Sequence, residues 1–271
     1  MSLKRLVRSA LPFAVRLELK RMRRMPAWLL ERSSLARRPP SAEAGACLPF
    51  VLASHHSPLR RPGTCDERLQ RGKEQNVLAA LRRIDGICIH PRQVFSYHHA
   101  VGRPSRLRGF TVGSELRDGA LSEGVGGGCC LVANLLYWLG LDAGMRVVER
   151  HRHGLDLFPD QDRRVPFGGG ATVFFNDADL RLQNPLPQRL LLRLWIEDGA
   201  LRGEVRCERD PGFRVEVYQS EHHWLREGVR WIRENRIRRR ITGVDGATWT
   251  DHEVSHNRGV VLYEPPRQEA L

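Results

Sequence analysis

The stretch GVGGGCCLVANLLYW, residues 124–138, restricts the fold of this chain more than any other feature. Its glycines indicate a tight turn, and the chain from Leu131 to Leu141 reads as a helix that is apolar on most sides. Such a helix offers no face to water, so other elements must cover it all round. Gly144 comes next as a C-terminal helix signal. The segment therefore predicts a buried helix that is entered through a glycine loop.

The rest of the chain supplies the elements that would cover this helix. Residues 146–150 and 171–175 read as strands, and two strand-like runs within 189–208 flank Asp198-Gly199, the dipeptide of a type I′ hairpin. Residues 73–86 predict a second helix, with one apolar face formed by Val77, Leu78, Leu81 and Ile84. These patterns predict an α+β fold, a single domain in which the buried helix packs on a mainly antiparallel sheet.

The first 45 residues differ in composition from the rest of the chain. They are rich in arginine, and the segment ARRPPSAEAGA at 36–46 carries two prolines and small residues typical of a linker. We therefore predict a basic N-terminal arm and linker at 1–45 and the folded domain at 46–271. The apolar run ALPFAV is too short for a secretory or membrane-spanning segment, which favours a cytoplasmic protein, with the arm as a contact for an anionic membrane surface.

The charge of the chain indicates an anionic partner. Its formal net charge is +13, and only three of its 44 basic residues are lysine. Nucleic acid, phospholipid headgroups and an acidic wall polymer would each fit, as would arginines that are simply solvated over the surface. Nucleic acid is the weakest of these interpretations, because net charge alone supports it and no binding motif accompanies it.

Two cysteines stand where chemistry at a thiolate is expected. A helix that begins after Gly128 places Cys129 and Cys130 in its first turn, where unpaired amides and the helix dipole favour an anion and lower a thiol pKa. Gly126, Gly127 and Gly128 would let a substrate approach the backbone and would expose amide donors for an oxyanion. The alternative is that the glycines serve helix packing and the cysteines are inert.

Candidate bases lie within the next 30 residues. His151 and His153 would point to one face of an extended segment, and Asp156 or Asp160 could orient an imidazole. Asn134 lies one helical turn after Cys130 and could bind substrate, orient the base or bind a loop. The two thiols and the two histidines could instead bind zinc, although the usual ligand spacing is missing. We predict no cofactor and no metal.

Three segments occur in order that together resemble the VanW family. They are GGGCCLVANLLYW, VVERHRHGLDLFPD and PFGGGATVFFNDADLRLQN, and IDGICIHPRQVFSY before them and NRGVVLYE after them extend the resemblance. The family pattern GGGxC ends at Cys130, and the family's histidine corresponds to His153.

The resemblance implies a VanW-like fold and a cysteine-dependent acyltransferase or hydrolase that is similar to L,D-transpeptidases. It implies Cys130 as the nucleophile and His153 as the base, with peptidoglycan-type peptides or precursors as substrates. Gly126, Gly127, Gly128, Asn134 and His151 would then contact the substrate. The alternative is a binding module that holds cell-wall precursors or other anionic ligands without turnover and is linked to glycopeptide resistance.

Overall fold

A computed structural model describes residues 18, 22, 26, 30–31, 33–39, 48–60, 66–117, 120–152, 154–156 and 165–264. The elements in chain order are β1 (Phe50–Pro58), α1 (Glu67–Ile84), β2 (Cys88–Ile89), β3 (Val94–Ser96), α2 (Tyr97–Val101), β4 (Val112–Arg117), β5 (Ala120–Val125), α3 (Cys129–Asp142), β6 (Arg146–Glu149), β7 (Leu155–Asp156), β8 (Arg181–Gln183), β9 (Leu190–Glu197), β10 (Ala200–Cys207), β11 (Phe213–Glu227), β12 (Arg230–Gly243) and β13 (Thr248–Val261). A 3₁₀ turn, Arg106–Arg108, lies between α2 and β4.

The strands form three sheets and one separate hairpin. The first sheet has the order β1-β10-β9-β2, the second β11-β12-β13-β7 and the third β3-β8-β6, while β4 pairs with β5. Every pair of named strands is antiparallel except β13 with β7. The prediction of an α+β fold with mainly antiparallel sheets is therefore confirmed.

Helix α3 is the buried helix that the sequence predicts. All residues from Leu135 to Leu141 are buried. A Cβ atom on Gly203 of β10 would lie 2.7 Å from the Leu139 side chain, and one on Gly140 would lie 2.7 Å from the Leu182 side chain of β8. These contacts are shorter than packed side chains tolerate. Glycine therefore lets α3 fit between the first and third sheets.

Local turn chemistry matches several of the predicted boundaries. Asp198 and Gly199 both have positive φ (51° and 69°), as a type I′ turn requires between β9 and β10. Gly144 has φ 72° and comes directly after Ala143, the residue that caps the C-terminus of α3. These short-range predictions are confirmed because the dipeptide or glycine alone fixes the backbone conformation.

Two expectations about individual elements are wrong. The segment 171–175 forms no named strand, and only Phe174 makes an isolated bridge, with Ala178 across a turn. Asn176 in this turn has φ 55°, which interrupts an extended backbone. Leu78 is 41% exposed instead of joining the apolar face of α1, where Ala80 takes a buried position.

The boundary between the arm and the domain at residue 45 stays a prediction. Leu35 and Ala36 are buried, and Leu35 and Arg37 make isolated bridges with Val94 and Cys88. Within the described part of the chain, none of the helices combines the length and the apolar character that crossing a membrane requires.

Candidate functional site

The glycine loop before α3 has a left-handed backbone at two positions. Gly126 has φ 88°, and Gly128, the N-cap residue of α3, has φ 96°. The N–H of Gly126 donates to the carbonyl of Thr111 (3.0 Å), and the N–H of Gly127 donates to the carbonyl of Gly124 (3.0 Å). The β4–β5 hairpin therefore delivers the chain into α3 through a tight turn that only glycine adopts without strain.

Close packing explains why side chains are absent from this loop. A Cβ on Gly127 would lie 2.2 Å from the carbonyl oxygen of Gly113, and one on Gly128 would lie 2.4 Å from Cγ of Lys73 on α1. Asn76 of α1 completes the clamp, since its Nδ2 donates to the carbonyl of Gly127 at 2.8 Å. The structure thus gives these glycines a packing role, and their contact with substrate stays a prediction.

Cys130 lies at the start of α3 and is half-buried. Its Sγ donates to the carbonyl of Val173, with 3.8 Å between sulfur and oxygen. Burial raises the pKa of the Cys130 thiol; the Val173 hydrogen bond lowers it by less, and the negative charge of Glu115 adds a still smaller increase. The expectation of a lowered pKa at this helix start is wrong, because burial raises it instead. The resting side chain is a neutral thiol.

Cys129 faces the interior and is a poorer nucleophile than its neighbour. It is buried, and burial raises its pKa to about 12. Its carbonyl accepts a hydrogen bond from the hydroxyl of Tyr97 at 3.4 Å. Of the two adjacent thiols, Cys130 is therefore the one with access to a ligand.

The segment 149–151, which contains Glu149 and His151, lies beside the backbone segment 172–173 that contacts Cys130. The N–H of Thr172 donates to the carbonyl of His151 at 2.8 Å, and the next residue, Val173, accepts from Cys130. The imidazole of His151 is exposed, and its Nε2 lies 2.9 Å from Oε1 of Glu149. Glu149 can thus orient His151, a role that the sequence reasoning assigned only to aspartates.

Two of the predicted catalytic residues, His153 and Asp160, lie outside the described residues. Their roles as base and as orienting carboxylate therefore stay predictions. The neighbours of His153 that the structure describes are Arg152 and Gly154. They follow His151, whose carbonyl accepts from the N–H of Thr172.

Asp156 is buried in a polar cluster of the second sheet. Its Oδ2 accepts from Nη1 of Arg233 at 3.1 Å and from the hydroxyl of Tyr263 at 2.7 Å. Arg233 is itself 2% exposed and lies over the rings of Phe167 and Trp224. These contacts give Asp156 a structural partner, and its proposed action on an imidazole stays a prediction.

Asn134 binds a loop that borders the thiol. Its Oδ1 accepts from the N–H of Ala171 at 2.6 Å. In the same loop, Arg150 donates from Nε to the carbonyl of Gly170 at 2.9 Å, and Trp138 donates to the carbonyl of Gly169. Asn134 thereby positions the backbone two residues before Val173, and its contact with substrate stays a prediction.

The sequence reasoning missed a buried polar network behind the 173–176 turn. Asp179 accepts from Oγ of Ser96 at 2.6 Å and from the N–H of His98 at 3.0 Å. Nδ1 of His98 accepts from the N–H of Asn176 at 3.1 Å, so the network holds the turn that carries Val173. The run SYHH, which begins at Ser96, the last residue of β3, was the available signal.

Two further features bear on ligands. Among the residues whose positions are described, no group of three or more histidine, cysteine, aspartate or glutamate side chains could hold a metal ion. A cavity of about 220 Å³ lies at the far end of α3, where Asp142, Cys207 and Phe213 are among its lining residues. The described candidate site residues, which include the glycine loop, Cys130 and His151, are not among its lining residues.

Comparisons with known proteins bear directly on this geometry. The family model described as "VanW like protein" matches residues 72–206, which include the glycine loop, Cys130, Glu149 and His151. The chain is a VanW-family protein. The matched VanW-like segment spans α1 to β10 and ends before the long strands β11, β12 and β13.

Two relatives of this VanW-family chain were found. The protein named "Uncharacterized protein YoaR" from Bacillus subtilis (strain 168) is 32% identical over 123 residues, 45% of this chain and 39% of the relative. The "Vancomycin B-type resistance protein VanW" from Enterococcus faecalis (strain ATCC 700802 / V583) is 24% identical over 181 residues, 66% of each chain. The matches thus span less than two thirds of either relative's length. No solved structure matches the chain.

Proposed function

We propose that this VanW-family protein is a vancomycin-resistance-associated thiol acyltransferase or hydrolase, with Cys130 as its nucleophile and peptidoglycan-type peptides or precursors as substrates. The name of the Enterococcus relative, a vancomycin B-type resistance protein, supports the link to vancomycin resistance. One observation carries the catalytic part. The carbonyl of Val173 accepts from the Cys130 thiol, while the N–H of the adjacent Thr172 donates to the carbonyl of His151, so Cys130 and the backbone of His151 contact one short segment.

The proposed reaction begins from a protonated thiol. As the sulfur of Cys130 attacks the carbonyl carbon of a peptide bond, an imidazole takes the thiol proton, and the carbonyl electrons move onto its oxygen. Collapse of this tetrahedral species breaks the C–N bond, and the leaving amine takes the proton from the imidazolium. The resulting thioester is then attacked by the amine of a second peptide or by water, which regenerates the thiol.

The raised pKa of Cys130 makes a base necessary in this proposal. A thiol with a raised pKa has little thiolate at neutral pH, so proton removal must accompany attack. His153 is the first candidate, with Asp156 or Asp160 as its proposed orienting group. His151 is the second, and the Glu149 carboxylate 2.9 Å from its Nε2 supports it.

A binding module is the second candidate function. The packing contacts of Gly127, Gly128 and Asn134, together with the raised pKa of the Cys130 thiol, favour it, because each of these features also serves a fold without turnover. Such a module would hold a cell-wall precursor or another anionic ligand in the context of glycopeptide resistance.

One experiment separates the two functions. The protein is incubated with a peptidoglycan stem peptide and an acceptor amine, and products are followed by liquid chromatography and mass spectrometry. We expect product with the wild type and with the matched control Cys129→Ala, and none with Cys130→Ala. Loss of the base should lower the rate by about 10²–10⁴-fold. Comparing His153→Ala with His151→Ala therefore identifies which histidine is the base.

The outcomes are distinct. Peptide that is bound equally by wild type and Cys130→Ala but stays unchanged would contradict catalysis and favour the binding module. Peptide that is neither bound nor changed would contradict both functions for this substrate class.

A further inference from the structure

A cluster of arginines surrounds the C-terminal end of α1. We define this arginine patch as Arg38, Arg82, Arg83, Arg106, Leu107 and Arg108. Hydrogen bonds to the backbone bring its parts together, since Nη2 of Arg83 donates to the carbonyl of Arg108 at 2.8 Å and Nη1 of Arg38 donates to the carbonyl of Arg82 at 3.2 Å. Three segments distant in sequence therefore present guanidinium groups at one place.

The positive charge of the patch is not neutralised within the part of the chain that the structure describes. None of its five arginines forms an ion pair with a described carboxylate. Burial lowers the pKa of Arg83, and the nearby charges of Arg108 and Arg82 lower it further. Mutual repulsion of this kind is relieved when an anion binds.

Several arginines elsewhere on the fold have carboxylate partners. On β12, Arg236 pairs with Glu221 (2.9 Å) and Glu253 (2.5 Å), and Arg238 pairs with Asp251 (2.9 Å). The high net charge of the chain therefore leaves a local excess at the arginine patch, while much of the charge on β12 is balanced.

Leu107 gives the patch an apolar tip. Its side chain is fully exposed, and it stands between Arg106 and Arg108 on the 3₁₀ turn. An exposed aliphatic side chain flanked by cations suits the boundary between lipid headgroups and acyl chains. Single-stranded nucleic acid is bound instead through aromatic rings that stack on bases, and the patch contains none.

One described residue of the basic N-terminal arm, Glu18, contacts the chain just before the 3₁₀ turn. Residues 1–25 contain eight basic residues and one acidic residue, Glu18. Glu18 pairs with Arg103, three residues before the 3₁₀ turn, at 2.9 Å. The sequence that contains this contact residue is therefore strongly cationic.

From these observations we infer that the arginine patch binds the surface of an anionic lipid bilayer. The guanidinium groups would contact lipid phosphates, and the Leu107 side chain would enter the acyl boundary. This contact is independent of the thiol chemistry, because no residue of the patch touches Cys130 or its described partners.

Vesicle flotation with the full chain tests this inference. Vesicles of phosphatidylcholine with phosphatidylglycerol are compared with vesicles of phosphatidylcholine alone. An arginine near an anionic surface contributes about a fivefold change in partitioning, and a buried leucine side chain about tenfold. We therefore expect Arg106→Gln/Leu107→Ser to bind the anionic vesicles about 50-fold more weakly than wild type, and Arg82→Gln about fivefold more weakly.

The matched control is Val229→Ser/Arg230→Gln at the β11–β12 turn. It removes one arginine and one side chain that is 95% exposed, but it lies outside the patch. This control should bind like wild type, and added salt should weaken wild-type binding. The inference is overturned if wild type does not float with anionic vesicles, or if patch and control variants lose binding equally. It is also overturned if the patch variant binds the vesicles like wild type and loses only its binding to duplex DNA.

Discussion

The buried ion pair between Asp156 and Arg233 should dominate the stability of the second sheet. Both side chains are 2% exposed, and Nη1 of Arg233 lies 3.1 Å from Oδ2 of Asp156. Asp156→Ala removes this carboxylate from beside Arg233, so the desolvated guanidinium loses the ion pair at its Nη1. Breaking a buried pair on one side costs about 3–5 kcal/mol, a large part of the total stability of a domain.

A double-mutant cycle measures this effect. We expect Asp156→Ala and Arg233→Met each to lower the free energy of unfolding by about 3–5 kcal/mol in urea denaturation. The double variant should lose much less than the sum, with a coupling free energy of about 2–3 kcal/mol, because neither charge of the pair remains. Arg233→Met also keeps an apolar side chain against the rings of Phe167 and Trp224.

Glu221→Ala is the matched surface control. Glu221 pairs with Arg236 at 2.9 Å, but both side chains are well exposed, so the loss should stay below about 1 kcal/mol. Additive losses in the cycle, or a loss at Asp156 no larger than that of the control, would refute the reasoning that this pair holds β7 to the sheet.

Three further predictions concern the region around α3. Gly128→Ala places a side chain at φ 96° against α1, so it should lower the free energy of unfolding by about 2–4 kcal/mol. Gly109→Ala, where φ is 80° but space is open, should lower it by about 1 kcal/mol. Equal losses for the two variants would contradict the packing role of Gly128. Burial raises the pKa of Asp142 from 3.8 to about 6, so its carboxylate weakens the fold as pH rises through that interval. Asp142→Asn should therefore stabilise the protein by about 1–3 kcal/mol at pH 7 and leave it unchanged at pH 3, as thermal melts at both pH values would show. Iodoacetamide should label Cys130 slowly at pH 7 and faster than Cys129, with peptide mass spectrometry as the readout. A labelling midpoint for Cys130 below about pH 8.5 would contradict a thiol whose pKa is raised.

Features fixed by short-range physics could be predicted from the sequence. The apolar character of α3 required burial on all sides, and Asp198-Gly199 specified the hairpin between β9 and β10. Long-range effects could not be predicted. The segment 171–175 has the residues of a strand, but Asn134 and His151 bind its backbone and a turn at Asn176 ends it.

The candidate site shows the same division. Sequence pattern indicated the glycine loop and the helix start at Cys129, both of which are confirmed. The thiol pKa depends on how deeply other segments bury it, which local sequence does not reveal. Likewise, the Ser96–His98–Asp179 network joins residues about 80 positions apart, and only the folded chain brings them together behind Val173.

The central claim is that Cys130 carries an acyl group during the reaction. Intact-protein mass spectrometry after incubation with a peptidoglycan stem peptide, quenched in acid, tests it most directly. The account predicts a mass increase equal to the acyl fragment, located on Cys130 by peptide mapping, unchanged in Cys129→Ala and absent in Cys130→Ala. Turnover of the peptide by Cys130→Ala, or an adduct on another residue, would contradict it.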